Sequence, residues 1–443
     1  MAALKAATEA ETMKQAAVLG AYGFIGAACV RALREAGYRV TCIGRSLECG
    51  RKAFPDLDWV QRDFADTLAG DWKSLLGGMD VVVNASGALQ DGARDNLAAI
   101  HETAVKRICE ALEGTQVRFV QISAAGVSED APTNFFRTKA RGDATIMASR
   151  TDWIILRPVL VLGADAYGGT ALLRAGAAMP FAGLELFGNA RIQTVHVDDV
   201  ARAVVQAASG DLGTRFVADL TEDGSRSFSE LVCRFRSWLG YPDWRARIAV
   251  PEFAISLLRK GADALGWLGW RSPLRTNALK SLDSGITGDP EGWRQRGGIP
   301  LKSLEQTLAV LPATAQERAF ARLYLLLPLA IGCLSLFWTL SGLIGVFSYR
   351  DAMAVLTGSG VSQPMAAAAV FGGAVADLTL GIAVLFRRWC RRASIGMILV
   401  ALAYLTGGTL LTPHLWADPL GPLVKVLPSL VLAALVVLVL EER

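Results

Sequence analysis

Three glycines, Gly20, Gly23 and Gly26, recur every third residue in Ala16-Ala-Val-Leu-Gly-Ala-Tyr-Gly-Phe-Ile-Gly26. A turn without side-chain bulk lets the backbone pass close to a ligand, and a helix starting there points unpaired N–H groups and the positive end of its dipole at an anion. That chemistry suits a dinucleotide pyrophosphate, held by Gly20, Tyr22, Gly23, Phe24, Ile25 and Gly26. A tight strand-to-helix turn that needs glycine for its own sake is the plainer alternative. The next apolar run ends in Gly44-Arg45-Ser46, where an acidic residue would commonly bind ribose hydroxyls. Arg45 with a hydroxyl beside it suits a 2′-phosphate, which favours NADP(H) over NAD(H); a solvated arginine at a strand end is the competing reading. Val60–Phe64 and Asp80–Gly87 are further strand ends expected at the same edge, within reach of the same ligand.

These residues need particular elements to hold them. Ala16–Leu19 is a short apolar run of the kind buried on both faces of a parallel sheet, and Ile25, Cys29, Val30 and Leu33 follow at helical spacing. Tyr38–Gly44 reads as the second strand. The expectation is an α/β fold with a doubly wound parallel sheet.

Taken in order, Gly20-Ala-Tyr-Gly-Phe-Ile-Gly26, Asp63-Phe64, Asn84-Ala-Ser-Gly87, Ile154-Ile-Leu-Arg-Pro158 and His196-Val-Asp-Asp-Val200 resemble an extended short-chain dehydrogenase/reductase, of the NAD-dependent epimerase/dehydratase type, over residues 14–315. The resemblance implies a Rossmann domain with a small substrate lobe. It brings Asp63, with Phe64, toward the adenine ring, and lines the nicotinamide ribose with Ala85, Ser86 and Gly87. It also implies a Ser–Tyr–Lys set for the proton that accompanies hydride transfer. Here the chain departs from the pattern: Phe135-Phe-Arg-Thr-Lys139 keeps Lys139, which would hold the ribose hydroxyls, but puts Phe135 where the tyrosine belongs. A phenyl ring has no proton to give. The serine position falls on Ser123 or Ala124, so Ser123 and Lys139 are the catalytic candidates. The pattern is similar to an atypical branch that includes a nucleotide-holding accessory subunit of respiratory complex I and relatives tied to quinone metabolism.

Composition adds a second part. Of 443 residues, 52% are hydrophobic, and the excess crowds the last third. Stretches 323–347, 364–386, 393–412 and 420–440 are each long enough, at about 1.5 Å per residue, to cross a hydrocarbon layer about 30 Å thick. Four spans are expected within 316–443, a segment that resembles a DoxX-like membrane domain, entered through Pro312–Tyr324. Arg318 and Arg322 precede the first span, and Arg387, Arg388, Arg391 and Arg392 crowd the loop between the second and third. The positive-inside rule puts both on the cytoplasmic side of an inner membrane, and an even number of spans returns the tail there too. The nucleotide domain and both termini are then cytoplasmic. Asp377, in mid-span, is expected to face the bundle interior, either as a proton relay or quinone-headgroup contact or as a structural hydrogen bond to a residue such as Tyr404 or Thr406. Lys425 can snorkel.

Phe253–Trp270 is apolar and tryptophan-bearing but carries Arg259, Lys260 and Asp263, too much charge to span. It reads equally as an interfacial helix or as packing against the nucleotide domain. Seven cysteines without paired spacing argue against metal or disulfide frameworks. Asp198-Asp199 are expected to cap a helix over Val200–Ala208. A net charge of +4 without a basic patch excludes nucleic acid as a partner. Residues 1–13 are expected to be a flexible N-terminus with no signal peptide. The expected function is a membrane-anchored NADP(H)-binding oxidoreductase-like protein acting on a lipid-soluble substrate such as a quinone or isoprenoid. The alternative is a non-catalytic nucleotide-binding scaffold with a membrane-protein partner. Membrane lipid is a partner in either case.

Overall fold

A computed structural model describes residues 13–89, 91, 96–166, 168–186, 190–270, 276–419 and 421–440. The chain divides into two compact units, residues 1–255 with 273–314, and residues 256–272 with 315–443. The expected flexible N-terminus lies, but for Met13, outside the described residues.

The first unit is built on seven parallel strands: β1 (Gln15–Leu19), β2 (Arg39–Gly44), β3 (Asp58–Gln61), β4 (Val81–Asn84), β5 (Arg118–Ile122), β6 (Asp152–Pro158) and β7 (Phe216–Leu220). Their order is β7-β6-β5-β4-β1-β2-β3. The chain moves outward from β1 in one direction and then, from β4, in the other, so the switch point falls between β1 and β4, where ligands of such sheets bind. Strand alternation explains the unbroken apolar run of β1. Ala16 and Val18 enter the core formed with α1 (Phe24–Glu35), while Ala17 and Leu19 enter the opposite core with α2 (Ala104–Leu112) and Ile146 of α3 (Asn134–Ala148).

A smaller lobe is stitched to the sheet by short strand pairs, Leu160–Leu162 with Thr194–His196 and Arg191–Ile192 with Arg226–Ser227. The buried carboxylate of Glu222 braces it, accepting from Thr194 N (3.1 Å), Thr194 Oγ1 (2.6 Å), Leu304 N (2.9 Å) and Arg226 (2.9 Å). The helix expected over Val200–Ala208 is longer, α4 (Val197–Ser209), and its cap is His196, whose Nδ1 accepts from Asp198 N at 3.1 Å. Asp199 instead turns inward and receives Lys302 N (2.7 Å) and Lys302 Nζ (2.6 Å). A carboxylate buried this deeply needs a cation more than the helix end needs a second cap.

The second unit takes in residues 256–272, within the Phe253–Trp270 stretch that reads equally as an interfacial helix or as packing against the nucleotide domain. These make up most of α5 (Glu252–Trp267). The apolar helices follow: α6 (Ala315–Phe347), α7 (Tyr349–Gly358), α8 (Gln363–Ala383), α9 (Arg387–Leu411) and α10 (Val426–Val439). Among the described residues, α6, α8 and α9 are the helices long and apolar enough to cross a membrane. The expected fourth span shortens to the 14 residues of α10, because Gly421 adopts φ +57° and residues 422–425 turn rather than coil. Nor are the four arginines in a loop; they occupy the first turns of α9. Helices α6 and α8 approach closely at Gly342, where a Cβ would sit 2.7 Å from Leu378 and 2.8 Å from the Ala374 carbonyl oxygen. Asp377 accepts from Tyr404 Oη (2.8 Å), the expected structural bond, and from Ser341 Oγ (2.6 Å), which the sequence reading had missed.

Candidate functional site

At the carboxyl end of β1 the chain must leave the sheet and enter α1 at once. Gly20 does so at φ +75°, with its amide donating to Ile43 O (2.9 Å) and its Cα so close to β4 that a Cβ would lie 2.9 Å from the Ser86 backbone. A side chain at Gly26 would meet the Gly20 carbonyl oxygen at 2.2 Å. Gly23 is the residue before α1, with no side chain over the first-turn amides. The helix start therefore carries no side-chain cap over its backbone N–H groups, the geometry that receives a diphosphate. The residues fit a dinucleotide.

The neighbouring strand ends close around this turn. Tyr22 lies against Gly44, whose Cβ would be 2.5 Å from the ring, and 6.0 Å from the Trp59 ring centroid. Arg45 is half-buried at the tip of β2, its carbonyl accepting from Gln61 Nε2 (2.9 Å). The Ser46 hydroxyl caps the next helix by accepting from Cys49 N (3.2 Å). Asp63 is exposed and accepts from Ala65 N (3.1 Å), whereas the Phe64 side chain is buried in the core, stacked on Trp72 at 5.9 Å. The backbone at Phe64 can serve a ligand; its ring serves packing. Beyond β4, Asn84 Nδ2 donates to Gln121 Oε1 (2.8 Å) and Asn84 Oδ1 receives both the amide and the hydroxyl of Ser86. This fixes Ala85-Ser-Gly87 opposite Gly20, and Gly87 is exposed.

Lys139 projects from α3 to the same edge. Its Nζ donates to Ile122 O (2.9 Å), lies 5.7 Å from the Phe135 ring centroid, and would be 3.9 Å from a Cβ on Gly87. Among the described residues the ammonium, which has three donors, makes this one hydrogen bond. Burial pulls its pKa down to about 8, against the attraction of Asp143. The Ser123 hydroxyl donates to Asp143 Oδ2 (2.8 Å), which also receives Arg157 (2.8 Å). Burial outweighs Arg157 and raises the Asp143 pKa. The structure thus brings Lys139 to Gly87 and commits the Ser123 proton to Asp143.

A residue not singled out from the sequence completes the edge. His101 lies in a π-helical turn, Ala99–Thr103, and is 3% exposed. Its Nε2 accepts from Ala88 N (3.3 Å), so the network assigns the ring proton to Nδ1, which donates to Thr138 Oγ1 (2.9 Å). Thr138 in turn donates to Phe135 O (3.1 Å), and the imidazole meets Phe135 edge-on at 5.6 Å. Burial, with Lys139 adding to it, holds His101 neutral, its pKa down to about 2. The available signal was its place with Ala104, Val105, Ile108 and Leu112 on the buried stripe of a helix, an odd place for imidazole unless something nearby binds it.

The family described as NAD(P)H-binding matches residues 20–211, and the DoxX-like family matches residues 335–434. A ceramide reductase of Caulobacter vibrioides is 25% identical over 211 residues, 47% of this chain and 65% of the relative. The NADH dehydrogenase [ubiquinone] 1 alpha subcomplex subunit 9 of Arabidopsis thaliana mitochondria is 28% identical over 205 residues, 44% of this chain and 50% of the relative. The chain thus spans between half and two thirds of the length of these relatives. In fold it is similar to the Bordetella bronchiseptica enzyme WbmH, solved with NAD+, at a TM-score of 0.50 and 20% identity over 70% of this chain and 98% of that one. The chain joins an NAD(P)-binding Rossmann domain of the short-chain dehydrogenase/epimerase fold to a C-terminal DoxX-like domain.

Proposed function

We propose that this chain is a membrane-anchored oxidoreductase that reduces a lipid-soluble carbonyl compound, such as a quinone or an isoprenoid, with NADPH in preference to NADH. The observation that carries it is the buried Lys139 ammonium beside Gly87, with one acceptor and a pKa near neutrality. When bound, the nicotinamide would supply a hydride to the substrate, the two electrons of its reduction. Lys139 then gives a proton from Nζ to the carbonyl oxygen, taking the role that Phe135 cannot fill, and the neutral amine is reprotonated from water. Ala85-Ser-Gly87, pinned by Asn84 and by neutral His101, orients the reacting face. Arg45 binds the 2′-phosphate. Similarity to a ceramide reductase and to a subunit of a ubiquinone-linked NADH dehydrogenase supports a lipid-soluble substrate.

The arginine-bearing ends of α6 and α9 and the nucleotide domain are placed on the cytoplasmic side of an inner membrane by the positive-inside rule. With α10 short of a span, parity no longer places the tail. The second reading, a nucleotide-holding scaffold that recruits a membrane-protein partner, is favoured by Phe135 alone. The test is nucleotide oxidation by the full chain in lipid nanodiscs supplied with ubiquinone or a total lipid extract, comparing wild type with Lys139→Met. Turnover lost in the variant while dinucleotide binding persists supports the enzyme; bound dinucleotide without turnover in either protein supports the scaffold.

A further inference from the structure

The helix α5 carries its amphipathicity the wrong way round for water. Ile255, Arg259, Ala262 and Asp263, spaced as one helical stripe, are buried or half-buried, while the outward side bears Phe253 (75% exposed), Leu257 (70%), Leu258 (46%), Leu265 (40%) and Trp267 (90%). A contiguous apolar face of this kind marks a surface that meets lipid or another protein. At 16 residues, with Arg259, Lys260 and Asp263 along it, the helix is too short and too charged to cross a bilayer.

Its C-terminal end is fastened to one place in the second unit. Arg387 N donates to Leu268 O (2.9 Å), Trp270 Nε1 donates to Leu385 O (2.7 Å), and the Arg387 guanidinium lies over the Trp270 ring at 5.6 Å. This is the corner between α8 and α9, two helices long and apolar enough to span, so it sits at the depth where spans turn back in the headgroup layer. Arg387, Arg388, Arg391 and Arg392 cluster at the same corner, with the Arg388 and Arg392 guanidinium groups 5.3 Å and 5.4 Å from the Trp389 ring centroid. Below them opens an apolar hollow of about 360 Å³ lined by Thr379, Ile382, Ala383, Phe386 and Trp389. Arginine at headgroup depth selects acidic phospholipid, and tryptophan favours the same layer.

We infer that α5 is an interfacial helix lying in the headgroup layer of an anionic leaflet, its Phe253–Leu257–Leu265–Trp267 face turned to the acyl chains beside the arginine corner. This rests on reading the second unit as membrane-embedded.

The experiment places the full chain in nanodiscs of phosphatidylcholine and phosphatidylglycerol, with or without bromine on the acyl chains, and isolates the Trp267 emission as the difference between wild type and Trp267→Phe. Because Trp267 is 90% exposed, its replacement leaves the fold alone. Bromolipid is expected to quench that difference signal by about half or more while aqueous iodide leaves it nearly unchanged. Quenching by iodide instead would put Trp267 in water and overturn the inference; protection from both quenchers would put protein over it and also overturn it. Co-elution with the nanodisc is read first. A chain that stays soluble without detergent or lipid refutes the membrane reading itself, whereas an incorporated chain with iodide-accessible Trp267 refutes only the role of α5. Leu257→Cys labelled with a nitroxide, measured against the same protein with Cys49 and Cys333 replaced, gives a second depth reading independent of tryptophan.

Discussion

At the scale of single residues the site depends on what stands where a tyrosine would have been. Phe135 removes one proton donor, and Lys139, buried beside Gly87, is the group whose protonation changes near neutrality. As an acid it works in the protonated form, so reduction should be constant at low pH and fall as pH rises through about 8. Lys139→Arg keeps the charge but holds its proton too tightly to donate, and should lower turnover by about 10²-fold with dinucleotide binding retained. His101 should add no inflection near its ordinary pKa, because its neutral form is fixed by Ala88 and Thr138. Phe135→Tyr should restore a second proton path and lift activity at high pH, where Lys139 is neutral; a steady-state pH profile reads both. Arg45→Ala should weaken NADP+ by about tenfold, near 1.4 kcal/mol, and leave NAD+ within about twofold, measured by calorimetric titration.

At the scale of elements, much of the first unit was legible. The runs Ala16–Leu19 and Val81–Asn84 are strands because every residue is apolar or satisfied, and the glycine turn follows from the need to pass Ser86 at 2.9 Å. The placement of Gly87 and Arg45 on one edge was readable for the same reason, since each follows a strand end, whereas Lys139 reaches that edge from the middle of α3. What was not readable depended on tertiary partners. The inward turn of Asp199 required Lys302, which lies 103 residues away. The stacking of the Phe64 ring on Trp72 was not readable, because no local pattern announces Trp72. The π-turn at His101 exists because α3 presses on it at Gly142, where a Cβ would lie 2.1 Å from the His101 carbonyl oxygen. Gly142→Ala should therefore cost about 1–3 kcal/mol by thermal unfolding and disturb His101 and Lys139 together, lowering activity beyond the stability loss. In the bundle, Tyr404→Phe should leave one Asp377 oxygen without its donor, a loss of about 1–3 kcal/mol visible in thermal unfolding in detergent.

At the scale of the whole molecule two chemistries share one chain. The first unit offers a dinucleotide cradle with a buried ammonium at its edge. The second offers a set of apolar helices with four arginines gathered where α8 meets α9. Composition alone separated the two, because a buried sheet and a lipid-facing helix are both apolar but differ in length; residues 256–272, whose mixed character leaves two readings open, fall in the second unit. A soluble reductase needs no such bundle, and a bare membrane anchor needs no such cradle. Their union makes sense if hydride passes to a molecule that resides in lipid. The direct test follows NADPH absorbance with the full chain in nanodiscs while ubiquinone or lipid extract is added across pH 6 to 10. The account predicts consumption of one NADPH per substrate molecule reduced, fading as pH rises through about 8 and absent in Lys139→Met. Stoichiometric bound NADPH that no lipid fraction oxidises at any pH would contradict it.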